Sequence, residues 1–262
     1  MKLSNAWVGY QSDKHIEGYS LKTLKAYQLQ SNLLIRYFGD IDLNALTTES
    51  LKQYLSDDGK NLKPASLGHR VRFIKSLFRW AHDEGFLSKN HAAKLKEPKT
   101  GKRIPKFLTE KEIELLREAC SSSMENAIFE FMYSTGCRIG EIASLDISSI
   151  DFMNRSAIVQ GKGDKEREVY YNIRCDIWLK RYLHERSDND PSLFVTERFP
   201  HRMSIAQMRY IIKRISSKAG VNKSIHPHQL RHYVEFFIME SITKINSVLG
   251  IHSEITPHNL ST

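Results

Sequence analysis

No stretch of this chain approaches the roughly 20 consecutive apolar residues that a membrane-spanning helix needs, and none is therefore read as a span. Cysteine is scarce. Cys120, Cys137 and Cys175 are odd in number, far apart, and make no Cys-x-x-Cys pair. That spacing suggests neither a disulfide framework nor a zinc site. The opening M-K-L-S-N-A-W-V-G-Y has no apolar run behind its basic residue, which argues against a secretory signal. Internal repeats and low-complexity tracts are absent as well. A cytoplasmic protein with no membrane partner is the expectation.

What the chain has is core-forming material and positive charge. Hydrophobic residues make up 40% and aromatics 10% of the 262 residues, which excludes a largely disordered chain, and the length favours two domains. There are 39 Lys+Arg against 30 Asp+Glu, a formal charge of +9. Through Arg231 the balance is 38 to 27, or +11; the last 31 residues hold 1 and 3, or −2. A basic body suggests a polyanion partner, with nucleic acid the first candidate.

Helical spacing organises the first hundred residues. Leu21, Leu24, Tyr27, Leu34, Ile35 and Phe38 recur near period 3.6 after Ser20, and Gly39 stops the run. A short helix is expected over 48–55. Another follows Pro64, with Leu67, Val71, Ile74, Phe78 and Ala81 as its apolar stripe and Gly85 as its end. On that helix His69, Arg70, Arg72, Lys75 and Arg79 form a basic face. The run E-P-K-T-G-K-R-I-P reads as a linker, placing a helical domain at 1–97, the connection at 98–107 and a second domain at 108–262. In the second domain, helices are expected at 110–119, 124–134, 139–145, 176–186 and 204–219. Ser156–Gln160 and Glu166–Tyr170, flanking Gly161-Lys162-Gly163, read as a β-hairpin, and Leu193–Thr196 as a short strand. The class is mostly α with a small β component.

Three short segments carry the chemistry. Thr135-Gly136-Cys137-Arg138-Ile139-Gly140-Glu141 sets an arginine where a glycine-bounded turn opens into a helix, a place whose free backbone N–H groups favour anions. Lys162 stands at the hairpin tip. His226-Pro227-His228-Gln229-Leu230-Arg231-His232 puts His228 and Arg231 three apart, on one face if helical. Guanidinium groups clamp phosphate oxygens bidentately, while lysine and histidine move protons, so the set suits a phosphodiester. Singly, each has a plainer use: an arginine in a surface ion pair, a tight Gly-Lys-Gly turn, a chance His-x-x-Arg.

Together and in this order they resemble the tyrosine recombinase family, also called the phage integrase or Xer-like family. The resemblance runs from about Ser20 to His232. It includes S-L-K-T-L-K-A-Y and S-x-x-x-R-V-R-F-I-K-S-L-F-R-W-A in the first domain. In the second it includes T-G-C-R-I-G-E-I-A-S-L, V-Q-G-K-G-D-K-E-R-E-V and H-P-H-Q-L-R-H. It implies a helical, SAM-like core-binding domain followed by an α+β catalytic domain, together clamping duplex DNA, with assembly as a tetramer on it. By position, Arg138 and Arg231 would clamp the pentavalent phosphate, Lys162 would protonate the departing 5′-oxygen, and His228 would assist proton transfer. Glu141, one helical turn past Arg138, would be structural, bracing that region. The implied chemistry is site-specific recombination, in which a tyrosine attacks DNA to form a 3′-phosphotyrosyl link. It needs neither metal nor ATP, and the sequence has no phosphate-binding P-loop.

The tail departs from this pattern. Leu249-Gly250 is present, but His252, the candidate third basic residue, arrives one position late. No tyrosine follows it, and Pro257 interrupts the segment where a nucleophile is expected. Tyr233, the sole tyrosine after Arg231, sits two residues past a clamp arginine, which suits packing; Tyr170 and Tyr171 suit strand packing. No nucleophile is identified. A frame change near codon 232 is the favoured explanation, ahead of lost catalysis with retained DNA binding and of a tyrosine supplied by another subunit. Arg70, Arg72, Lys75 and Arg79, with Lys165 and Arg167, are the candidate DNA-phosphate contacts; a solvated basic face is their alternative. The competing functions are a non-catalytic DNA-binding protein of the same fold, and a helical RNA-binding or structural protein.

Overall fold

The computed structural model describes residues 1–101, 108–161, 165–221, 225, 229 and 230. The chain divides into two compact units, Met1–Arg103 and Ile104–Thr262.

Among the described residues the first unit holds four α-helices: α1 (Leu3–Ile16), α2 (Leu21–Phe38), α3 (Thr48–Asp57) and α4 (Pro64–Asp83). Their boundaries follow local chemistry. The Ser20 hydroxyl accepts from the Thr23 N–H at 3.2 Å, and the Thr47 hydroxyl accepts from Ser50 at 3.2 Å. These side chains satisfy backbone donors that the first helical turn leaves open. Pro64 opens α4, where its missing N–H costs nothing. Gly39, at φ 77°, turns the chain out of α2 through a conformation that side chains resist.

α1 was not among the helices expected from the sequence. Its buried residues Leu3, Ala6, Trp7 and Tyr10 lie at helical spacing, and they meet α4. Tyr10 packs edge-on against Phe73 and Trp80, with centroids 6.3 and 5.8 Å apart. Its hydroxyl pairs with Ser76 Oγ at 2.7 Å, and Trp80 Nε1 donates to Asp13 at 2.6 Å. A Cβ on Gly9 would lie 2.9 Å from the Trp80 ring, so this approach requires glycine.

In the second unit, α5 (Glu110–Ala119) begins at a capping box. Glu112 N–H donates to the Thr109 hydroxyl at 3.2 Å, and the Glu112 carboxylate accepts from Thr109 N–H at 2.8 Å. α6 (Ser123–Thr135) is buried on nearly all sides, as befits a central helix. It packs chiefly on α8 (Ile173–Glu185). Two carboxylates on α6, Glu125 and Glu130, are buried and held by guanidinium groups. Arg214 Nε reaches Glu125 at 2.9 Å and Arg117 Nε reaches Glu130 at 2.6 Å. Arg214 comes from α9 (Ile205–Lys218), 89 residues away, whereas Arg117 comes from the preceding helix α5, so one pair is long-range and the other joins neighbours.

Strands β1 (Ile150–Asp151), β2 (Ser156–Gln160) and β3 (Glu166–Tyr170) form one antiparallel sheet in that order. β2 and β3 pair from Ser156↔Tyr170 to Gln160↔Glu166, the hairpin that the alternating sequence predicts. Leu193–Thr196 is not a strand. Only isolated bridges, Asp146↔Ser192 and Val195↔Arg202, occur around it. Its apolar residues Leu193, Phe194 and Val195 fill the core without a neighbouring strand to pair with. Among the described residues, no helix is long and apolar enough to cross a membrane.

Candidate functional site

Arg138 is positioned by two consecutive helix boundaries. α6 ends at Gly136, whose left-handed conformation (φ 60°, ψ 19°) reverses the chain. The Thr135 hydroxyl accepts from the Cys137 N–H at 3.2 Å and tightens the turn. α7 (Ile139–Ala143) then starts immediately after Arg138. Its far end is held by Arg202, which donates to the carbonyls of Ala143 and Leu145 at 3.2 and 3.1 Å and pairs with Asp146. Nothing local in the sequence announces Arg202, because its partners lie 57 and 59 residues away.

Glu141 lies at the centre. It is only 5% exposed, yet its carboxylate has three donors. Arg138 N–H donates to Oε2 at 2.8 Å and Arg138 Nη1 to Oε1 at 2.9 Å; Arg167 Nη2 on β3 donates to Oε2 at 2.7 Å. Burial alone would raise its pKa. The Arg138 backbone and side-chain bonds and the two guanidinium charges outweigh that and hold the carboxyl below its ordinary range. Arg167 Nη2 also lies 3.9 Å from Cys137 Sγ. Burial pushes the Cys137 thiol upward, so this cysteine is a packing residue rather than a thiolate nucleophile.

The anion at the α7 N-terminus is thus the protein's own carboxylate, not a vacant backbone seat. What faces solvent is guanidinium: the Arg138 side chain is 46% exposed. Two positive groups share one negative group here, leaving a local surplus of one positive charge.

The other expected site residues divide sharply. Lys162, His228, Arg231 and His252 lie outside the described residues, as does Tyr233. Of the expected phosphate contacts, Arg70 is corrected. At 8% exposure it is buried, pairs with Asp58 and lies over the Tyr54 ring, 5.7 Å from its centroid. Burial of that face won over the helical position that had suggested exposure. Arg72 is exposed but paired with Glu97, and Lys75 Nζ donates to the Leu95 carbonyl at 3.1 Å. Arg79 and Lys165 are exposed. Arg167 is committed to Glu141. Tyr171 is buried and Tyr170 bonds Glu168 at 2.8 Å.

Comparisons with known proteins give the family and the fold. The Phage integrase family matches residues 106–260, and its N-terminal SAM-like domain matches 14–85. The first match continues well past His232, where the motif resemblance stops. Tyrosine recombinase XerC of Corynebacterium glutamicum is 31% identical, over 94% of this chain and 83% of its own. XerC of Proteus mirabilis is 28% identical, over 92% and 81%. Among solved structures, a lambda integrase(75–356) dimer bound to a COC′ core site superposes with a TM-score of 0.78 at 20% identity, covering 97% of each chain. XerH recombinase bound to a palindromic difH substrate gives 0.71 at 20% identity, over 92% of this chain and 76% of its own. The mostly helical fold, with a SAM-like first domain and an α+β second domain, is that of these proteins. With its paired family domains and its recombinase relatives, this chain belongs to the phage integrase family of tyrosine recombinases.

Proposed function

We propose that the chain binds duplex DNA at specific sites with a tyrosine recombinase apparatus, and that its 262 residues do not themselves supply the attacking tyrosine. One observation carries the reading. Arg138 is held half-exposed by a buried Glu141 that Arg167 also pairs, so a guanidinium is fixed in place with charge to spare for a phosphate. Lys162, His228 and Arg231 are its proposed companions on that phosphate, and His252 is a further candidate. The solved neighbours include a dimer on a core site and a lambda integrase tetramer on a Holliday junction, which supports assembly of this chain on DNA as more than one copy.

A second reading is a catalytically inactive DNA-binding protein retained on the recombinase fold. The family match runs through residue 260, and a frame change near codon 232, lost catalysis and a tyrosine from another subunit stand as competing accounts of the tail. A binding site selected from a random duplex pool, then nicked to trap any 3′-phosphotyrosyl product, tests both parts. The expected result is selective binding that Arg138→Gln weakens, with no covalent adduct. An adduct from this chain alone would overturn the missing-nucleophile proposal. A pool that yields no preferred sequence would overturn specific DNA recognition.

A further inference from the structure

From the Arg138–Glu141–Arg167 geometry we infer that Arg167 is a positioning residue for Arg138 and makes no phosphate contact of its own. This rests on the reading of Arg138 as a phosphate-binding residue. Arg167 sits on β3 opposite Val159, and its side chain reaches across to α7. It takes Oε2 of Glu141 while the Arg138 guanidinium takes Oε1. The carboxylate is therefore shared, and its position is defined from both sides.

Two consequences follow from charge and geometry. With both arginines present, the buried carboxylate cancels one positive charge of two, and the exposed Arg138 keeps net attraction for an anion. Without Arg167, Glu141 and Arg138 form a neutral pair, and the phosphate must compete with the carboxylate for the same guanidinium. The second consequence is mechanical. β3 is the strand that follows Lys162 in the chain, and Gly161 N–H closes the hairpin onto the Lys165 carbonyl at 2.8 Å. The Arg167–Glu141 bond is a polar tie between that hairpin and the turn carrying Arg138. It fixes β3 against the turn that carries Arg138.

A double-mutant cycle separates this from an independent DNA contact. The probe is a short fluorescent duplex carrying the selected site, titrated at fixed salt against the full chain. Arg138→Gln and Arg167→Gln each weaken binding by roughly fivefold, and the double variant is no weaker than Arg138→Gln by more than about twofold. Arg167→Lys, which keeps a charge beside Oε2, recovers most of the loss. Multiplicative losses in the double variant would overturn the positioning role while leaving Arg138 as a phosphate ligand. An unchanged affinity for Arg138→Gln would remove the underlying reading, and the positioning role with it. If Arg167→Gln alone fails to fold, the comparison is made in a Glu141→Gln background, which strands no carboxylate. There Arg167→Gln changes affinity by less than about twofold, and a full fivefold loss would overturn the inference.

Discussion

Glu141 is a buried carboxylate that stays ionised because three donors converge on it. Its folded pKa lies below the unfolded value, so the stability it contributes is fully present above the unfolded pKa. That contribution is lost as pH falls through the folded pKa. Glu141→Gln is expected to cost about 1–3 kcal/mol at neutral pH, since both arginines lose a charged acceptor but remain partly hydrated. Urea melts of the two proteins should differ most near pH 7 and converge only as pH falls through the folded pKa, below the ordinary carboxylate range. A gap that is constant across that range would show that packing, not ionisation, is what Glu141 provides. The spacing of Arg138 and Glu141, three apart at a helix start, was visible in the sequence. The third member was visible only as a basic residue near a hairpin, because its partner lies 26 residues away.

Helix ends with their own caps could be read directly, as at Ser20, Pro64 and Thr109, because the deciding atoms lie within four residues. α1 carried the same kind of signal in Leu3, Ala6, Trp7 and Tyr10, yet its worth depends on Phe73 and Trp80 far along the chain. The turn after Val195 shows the opposite case. Thr196 N–H donates to the His201 carbonyl at 3.1 Å, and the Thr196 hydroxyl donates to the Phe199 carbonyl at 3.0 Å. This stapled turn holds Phe199 at φ 50° with its ring 88% exposed. A left-handed residue with a Cβ is strained, and an exposed ring returns little burial energy. Phe199→Gly should therefore stabilise the chain by about 0.5–1 kcal/mol, seen as a raised thermal midpoint. A lowered midpoint would mean that the ring makes a contact worth more than the strain.

On the scale of the whole molecule, net charge overstates what is available to a polyanion. Arg70, Arg72, Lys75 and Arg79 look equivalent on one helix, but the first three are engaged by Asp58, Glu97 and the Leu95 carbonyl. Arg79→Ala should lower affinity for the duplex and reduce the slope of log K against log salt by about one. Arg70→Ala should leave that slope unchanged while lowering stability, because Asp58 loses its closest partner. Equal slopes for Arg79→Ala and the parent chain would exclude Arg79 as a phosphate contact. By itself the sequence determined the mostly helical class, the hairpin and the family, since caps, periodicity and motif order are local properties. Only the tertiary structure decided which of the described basic residues are already engaged by carboxylates or carbonyls and which stay exposed. Ion pairs join residues that the fold brings together, and no spacing along the chain records them.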